Sequence, residues 1–195
     1  IISVVRAWLL QIRIRYGRST DMSYVSELRQ LVGHRPLQLP GTGVLVWRMN
    51  SNGEVEILLQ LRSDHNKWGL LGGGIELDES YEECAVRELY QESGLVASEE
   101  KLKLLKVYAG KKHVTVHPNG DIVYHTVVLY SLRYDETQFD EGADISSETR
   151  SLEWLSLSKI RALLEGGAEA AFFHNNIPII QDIVNVFFSG GFPRI

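Results

Sequence analysis

The sequence predicts an α/β protein of the α+β kind, with a mixed sheet set between helices. Three observations lead there. Segments of strand and helix character follow one another in mixed order. Two glycine-bearing turns, Asn50-Ser51-Asn52-Gly53 and Pro118-Asn119-Gly120-Asp121, each join two segments of β character. A loop rich in glycine, Trp68 to Gly74, runs into one helix with its own start and stop signals.

In chain order, Ser26 to Val32 reads as a short helix. Gly43 to Arg48 and Val55 to Arg62 read as strands about the Asn50–Gly53 turn. Gly72, Gly73 and Gly74 let backbone approach a ligand or the coming helix closely. Ser80 followed by Glu83 is a capping box, Ala85, Val86 and Leu89 form an apolar face, and Gly94 falls where a left-handed cap is wanted. Leu102 to Tyr108 and His113 to His117 are predicted strands, and Ile122 to Leu132 is the strand returning from the second turn. Leu152 to Leu155 is a last short strand. Helices are expected over Ser158 to Leu164 and Ile177 to Phe188.

The 195 residues suit one domain with a real core. A formal charge of −5 argues against a general nucleic-acid surface. One cysteine, Cys84, precludes an internal disulfide and fits a reducing, cytoplasmic compartment; a small packed side chain is its expected role. Residues 1–20 carry Arg6, Arg13, Arg15 and Arg18 and no acid. Arg6 breaks the apolar run that a signal peptide needs, and the stretch is too short and too charged to span a membrane. We read residues 1–21 as an atypical N-terminal extension, not native to the protein, with Met22 as the natural start and residues 22–195 as a single domain. No membrane partner is expected.

The chemistry concentrates on the capped helix. Glu88 and Glu92 stand four residues apart and share a helix face. Carboxylates that close repel unless a cation lies between them. Hard divalent ions favour such oxygens, together with substrate phosphates. The residues thus point to metal-dependent chemistry on a phosphate compound, weighed against a solvated acidic helix after a flexible loop.

The frame Gly73, five residues, Glu79, seven residues, then Arg87-Glu88-Leu89-Tyr90-Gln91-Glu92-Ser93-Gly94-Leu95 resembles the Nudix box, G-x5-E-x7-R-E-U-x-E-E-x-G-U, where U is a bulky aliphatic residue. One fixed position differs: Gln91 stands where the first glutamate of the E-E pair belongs. Leu71 also replaces the proline that usually precedes the two glycines. The resemblance implies a Nudix α/β/α sandwich with a mixed sheet. It also implies Mg²⁺- or Mn²⁺-dependent cleavage of a nucleoside diphosphate linked to another moiety. By the same likeness Glu88 and Glu92 are the principal metal ligands, joined by the Gly72 carbonyl and, through its amide oxygen, Gln91. Arg87 would pair with Glu79 and hold the loop to the helix. These four side chains, Glu79, Arg87, Glu88 and Glu92, make up the implied catalytic set. A non-catalytic nucleotide sensor on the same fold is the alternative that Gln91 keeps open.

Beyond the box, Arg62 could grip a substrate phosphate or form a surface ion pair. Trp68 could stack on a base or pack beneath the loop. Gly73 would let substrate approach the backbone. Asp135, Glu136, Asp140, Glu141, Asp144 and Glu148 form an acidic run that reads as a solvated loop, from which Glu148 is the candidate for a further metal ligand or base. His113 and His117 share a strand face, but solvent-facing hairpin histidines are preferred over a zinc site. His125 could face the cleft. The expected partner is a small nucleotide, either an ADP-sugar or a nucleoside triphosphate. A capped RNA end is the one nucleic-acid substrate left open, and a homodimer is the protein partner considered.

Overall fold

A computed structural model of the protein describes residues 24–189. The expected extension, residues 1–21, and Met22 lie outside the described residues. The first element is helix α1 (Tyr24–Val32), two residues earlier than its predicted start. Three sheet strands follow: β1 (Leu37–Met49), β2 (Val55–Arg62) and the two-residue β3 (Trp68–Gly69). The glycine loop then leads to α2 (Tyr81–Ser93). After α2 come β4 (Leu95–Val96), β5 (Lys103–Tyr108), β6 (Val114–Val116), β7 (Ile122–Arg133), β8 (Gln138–Phe139) and β9 (Thr149–Ser156). Helices α3 (Leu157–Ala171) and α4 (Ile177–Phe188) close the described chain.

The main sheet runs β3-β2-β1-β7-β5, with β9 added on β2 and β6 on β7. It is mixed, because β1 and β7 are parallel while the other pairs are antiparallel. A parallel pair cannot close through a tight hairpin and needs a long crossover. Here the crossover contains β2, the glycine loop and α2, so the loop is delivered back against β1.

Each sheet face has its own core. Leu45, Ile57, Leu59 and Leu129 pack against Ile160 of α3 and Ile179, Ile180 and Ile183 of α4. On the other face Val44, Val46, Leu58 and Val128 pack against Ala85, Val86 and Leu89 of α2. This is helix on both faces of one sheet, the three-layer arrangement expected from the resemblance. Each fully buried Leu or Ile contributes roughly 1.5–3 kcal/mol, so both faces are firmly held.

Three predicted elements came out longer. β1 begins at Leu37 and runs through Pro40, Gly41 and Gly43, residues that argue locally against a strand. It continues because β7 pairs with it from Leu37–Val123 to Trp47–Arg133. β9 extends over Thr149–Ser156, since its partner β2 is long. α3 reaches Ala171, with a kink at Gly167 where φ is 140°. The strand predicted over His113 to His117 is shorter, and His113 lies just before it.

Candidate active site

The site forms where α2 starts beneath the glycine loop. Both helix-end signals are realised. The Ser80 hydroxyl accepts from the Glu83 N–H, the Glu83 carboxylate accepts from the Ser80 N–H, and Gly94 takes φ 71°. These caps fix where the helix begins, and so which of its residues face the loop.

The loop lies alongside β1. Thr42 N–H donates to the Gly73 carbonyl (2.9 Å) and Val44 N–H to the Leu71 carbonyl (2.8 Å). This approach demands glycine. A Cβ on Gly41 would sit 2.4 Å from the Gly73 oxygen. Gly72 has φ 139°, and a Cβ there would sit 2.2 Å from the Thr42 oxygen. Gly73 leaves room of another kind, because its absent Cβ would lie 2.4 Å from Oε1 of Glu88. The Glu88 carboxylate therefore rests directly on the loop backbone.

Glu88 and Glu92 differ in surroundings. Glu92 is 3% exposed. Its Oε1 accepts from Gln60 Nε2 (2.8 Å) and its Oε2 from the Gly72 N–H (2.7 Å). Burial, then the nearby Glu88, push its carboxyl up to about 8, against the pull of the Gly72 and Gln60 bonds. Burial also raises the Glu88 carboxyl above its usual range; Arg87 opposes this, and Glu148 and Glu79 add to it.

Arg87 ties helix to loop. Its Nε and Nη2 donate to the two Glu79 oxygens (2.7 and 2.9 Å), the bidentate pairing in which arginine is strongest. Nη2 also donates to the Gly74 carbonyl (2.9 Å), while Nη1 donates to Glu88 (2.7 Å) and to the Gln91 side-chain oxygen (3.3 Å). Gln91 thus joins the arginine side of the cluster, and its backbone carbonyl accepts from Ser146 N–H (2.7 Å).

Glu148 is exposed, in the turn before β9, and close enough to bear on Glu88 and Arg62. Arg62, at the end of β2, forms a two-bond pair with Asp64 (3.0 and 2.8 Å) and lies over the Phe173 ring, 4.9 Å from its centroid. Burial works against its charge, but Asp64, Glu92 and Glu148 outweigh that. Trp68 is partly buried against the core, the packing weighed above as the alternative to stacking. Cys84 is fully buried, near Thr42 Oγ1 (3.3 Å), and burial pushes its thiol up to about 12.

Two expectations need correction. His113 does not face solvent: it is 5% exposed, edge-on to Tyr108, and its Nδ1 has no hydrogen-bond partner. His125 sits on β7 with Nε2 bonded to Thr115 Oγ1 (2.9 Å). The acidic run is not wholly solvated either. Asp140 is 4% exposed and accepts from the Tyr90 hydroxyl (3.1 Å), which pins the loop after β8 to α2.

Gln60 was missed. It is fully buried in β2, where it links Thr149 Oγ1 (3.0 Å) to Glu92. Its one sequence signal was an amide between Leu59 and Leu61 in an apolar strand.

A divalent cation fits this donor set. The neighbouring Glu88 raises the proton affinity of the buried Glu92, and a positive charge between the two relieves that. Among the described residues no three His, Cys, Asp or Glu side chains gather into a metal-holding group. Further donors would therefore be carbonyl, amide or substrate oxygens, the usual company of Mg²⁺.

A family model described as NUDIX domain matches residues 39–175. Nudix hydrolase 21, chloroplastic, of Arabidopsis thaliana is 30% identical over 146 residues. The match takes in 74% of this chain and 64% of that protein, so the chain spans less than two thirds of that relative's length. The NUDIX domain of Shewanella oneidensis NrtR, solved with ADP ribose, superposes with a TM-score of 0.56 at 19% identity, covering 83% of this chain and 98% of that one. A bifunctional NMN adenylyltransferase/ADP ribose pyrophosphatase of Francisella tularensis, solved with AMP and a Mn ion, gives 0.57 at 18% identity, covering 82% and 44%. At these identities the two structures speak for the fold. No helix among the described residues is long and apolar enough to cross a membrane.

Proposed function

The chain belongs to the Nudix family, and from that premise we propose that it hydrolyses a pyrophosphate bond in a nucleoside diphosphate joined to another group, using Mg²⁺ or Mn²⁺. The observation that carries this is the pair of a half-buried Glu88 and a fully buried Glu92, both held against glycine backbone with raised proton affinity. That both solved relatives are named with an ADP-ribose compound or activity favours an ADP-sugar within the proposed class.

Glu88 and Glu92 would hold the cation, with the Gly72 carbonyl and the Gln91 amide oxygen as further donors. When bound, the cation neutralises pyrophosphate charge and makes a coordinated water more acidic. The chain supplies the rest. Gln60 and Gly72 orient Glu92. Arg87, locked on Glu79, orients Glu88 and holds the loop. Arg62 offers a fixed positive charge to the substrate phosphates. Glu148, exposed and close enough to act on Glu88, is the proposed acceptor of the proton from the attacking water. Oxygen attacks phosphorus, the bridging P–O bond breaks, and a phosphate group leaves.

The alternative, a nucleotide sensor without turnover, draws on Gln91, which carries no charge and is bonded to Arg87. Phosphate release from nucleoside diphosphate derivatives and triphosphates, with Mg²⁺ or Mn²⁺, tests both readings. Cation-dependent turnover that falls at least about 100-fold in Glu92→Gln supports hydrolysis. Nucleotide binding with no turnover across the panel refutes it and leaves the sensor.

A further inference from the structure

We propose that Arg62, Phe173 and His65 form the seat for the planar base of the nucleotide, an inference that rests on the hydrolase reading for what lies next to it. The three side chains form a column. The His65 ring stacks on Phe173 at 5.0 Å between centroids and 23° between planes, and the Arg62 guanidinium lies over the same ring. His174 adjoins Phe173 at 4.6 Å and 59°. The column is open at its imidazole end, where the His65 side chain is 48% exposed.

Both walls are built and fixed. On one side, Arg62 N–H donates to the Lys67 carbonyl (3.0 Å) and Asn66 N–H to the Arg62 carbonyl (2.9 Å), closing a tight loop. Asn66 takes the left-handed conformation at φ 53°, and Arg150 bonds its side-chain oxygen at 2.7 Å. On the other side, Phe173 N–H donates to the Trp68 carbonyl (2.8 Å), and Asn176 Oδ1 accepts from Leu70 N–H (2.8 Å). Phe172 is fully buried as the anchor, while the next ring, Phe173, is half-buried. Such fixing lowers the entropy lost on binding.

The order of groups matches a nucleotide. Arg62 bears electrostatically on Glu92 and Glu148 and touches Phe173. Arg62 thus stands between the acidic residues on one side and the aromatic column on the other. A nucleotide presents its phosphates, then a ribose, then a planar ring with a π-face. Stacking on an aromatic or imidazole face tolerates any base and favours the larger purine. Trp68, weighed above for stacking or packing, is partly buried against the core and leaves this role to the column.

The test needs no turnover. The His65 ring resonances, assigned through their loss in His65→Asn, are followed while AMP, UMP or the base-free ribose 5-phosphate is added. We expect AMP to shift them, UMP to do so more weakly, and ribose 5-phosphate to leave them in place. Phe173→Ala should weaken AMP binding about 10-fold and leave ribose 5-phosphate binding unchanged. If Phe173→Ala fails to fold, His65→Ala on the exposed loop replaces it with the same expectation. Equal shifts from AMP and ribose 5-phosphate, no shift from either nucleotide, or equal weakening of both ligands by the variant overturns the proposal. Base-dependent binding without hydrolysis would sink the hydrolase reading and keep this one. Hydrolysis with no preference for a base would do the reverse.

Discussion

Replacing Gln60 by methionine tests how Glu92 is held. The change keeps length and apolar bulk but removes the amide. Glu92 then loses the 2.8 Å bond to Oε1 and keeps only the Gly72 N–H at 2.7 Å. Thr149 loses its acceptor, and a weaker contact of 3.3 Å from Nε2 to the Leu70 carbonyl goes as well. Without a cation, the Glu92 carboxyl is pushed up to about 8, so near pH 7 it is largely protonated. Its bond from Gln60 is then of the neutral kind, worth about 1 kcal/mol, and with the Thr149 bond the expected loss of stability is about 2 kcal/mol. With a cation bound the carboxylate is charged, and the same bond is worth about 1.5–3 kcal/mol. The difference, about 1 kcal/mol, weakens cation binding roughly five-fold, since about 1.4 kcal/mol is a factor of ten. Urea unfolding at pH 7 reads the first quantity, and titration with Mn²⁺ followed by its electron paramagnetic resonance reads the second. A variant as stable as the parent with unchanged Mn²⁺ affinity would refute the role given to Gln60.

Four further outcomes follow from other parts of the molecule. Gly72→Ala should destabilise by more than about 2 kcal/mol, because its positive φ and the Thr42 carbonyl both oppose a Cβ. Gly73→Ala, with an ordinary φ and only the Glu88 carboxylate in the way, should melt close to the parent yet lose most cation-dependent turnover; equal melting of the two variants would count against the contrast. Asp182 is held below the usual carboxylate range, first by its bond from Lys106 and then by that from Tyr108, against burial. A lowered folded-state value means its contribution is present above pH 4 and fades as the pH falls through that lowered value. Acid unfolding curves of the parent and Asp182→Asn should therefore converge toward low pH, and a constant gap would contradict this. Cys84, with its thiol pushed up to about 12 by burial, should react with a disulfide reagent only on unfolding; rapid labelling of the native protein at pH 8 would refute that.

What was legible in the sequence was what local chemistry encodes. Ser80, Glu83 and Gly94 set the ends of α2 through bonds within a few residues, and the apolar spacing of Ala85, Val86 and Leu89 set its buried face. β1 was only half legible. Pro40, Gly41 and Gly43 weaken a strand taken alone, and only the long parallel register with β7 extends it to Leu37. His113 looked like a surface histidine because the turn that follows is polar, whereas Tyr108 on the neighbouring strand covers it. Phe173 carried no signal, since its position depends on the 172–176 segment docking on Trp68 and Leu70, about a hundred residues away in the chain.

The candidate site is also where the chain departs from the rules it follows elsewhere. A buried strand position carries an amide at Gln60, a buried helix position carries a carboxylate at Glu92, and two backbone segments meet so closely that side chains are forbidden at Gly41 and Gly72. Each departure taken alone costs stability. Together they compensate: the glycines bring the Gly72 N–H to Glu92, Gln60 supplies a second donor, and Gly73 opens the space that Glu88 fills. Charge is the one imbalance left over, since both carboxyls keep raised proton affinity after every local bond is counted. Local conflicts of this kind are expected at functional sites, and here the conflict has a sign. The site lacks positive charge, which is what a divalent cation carrying an anionic substrate would bring to it.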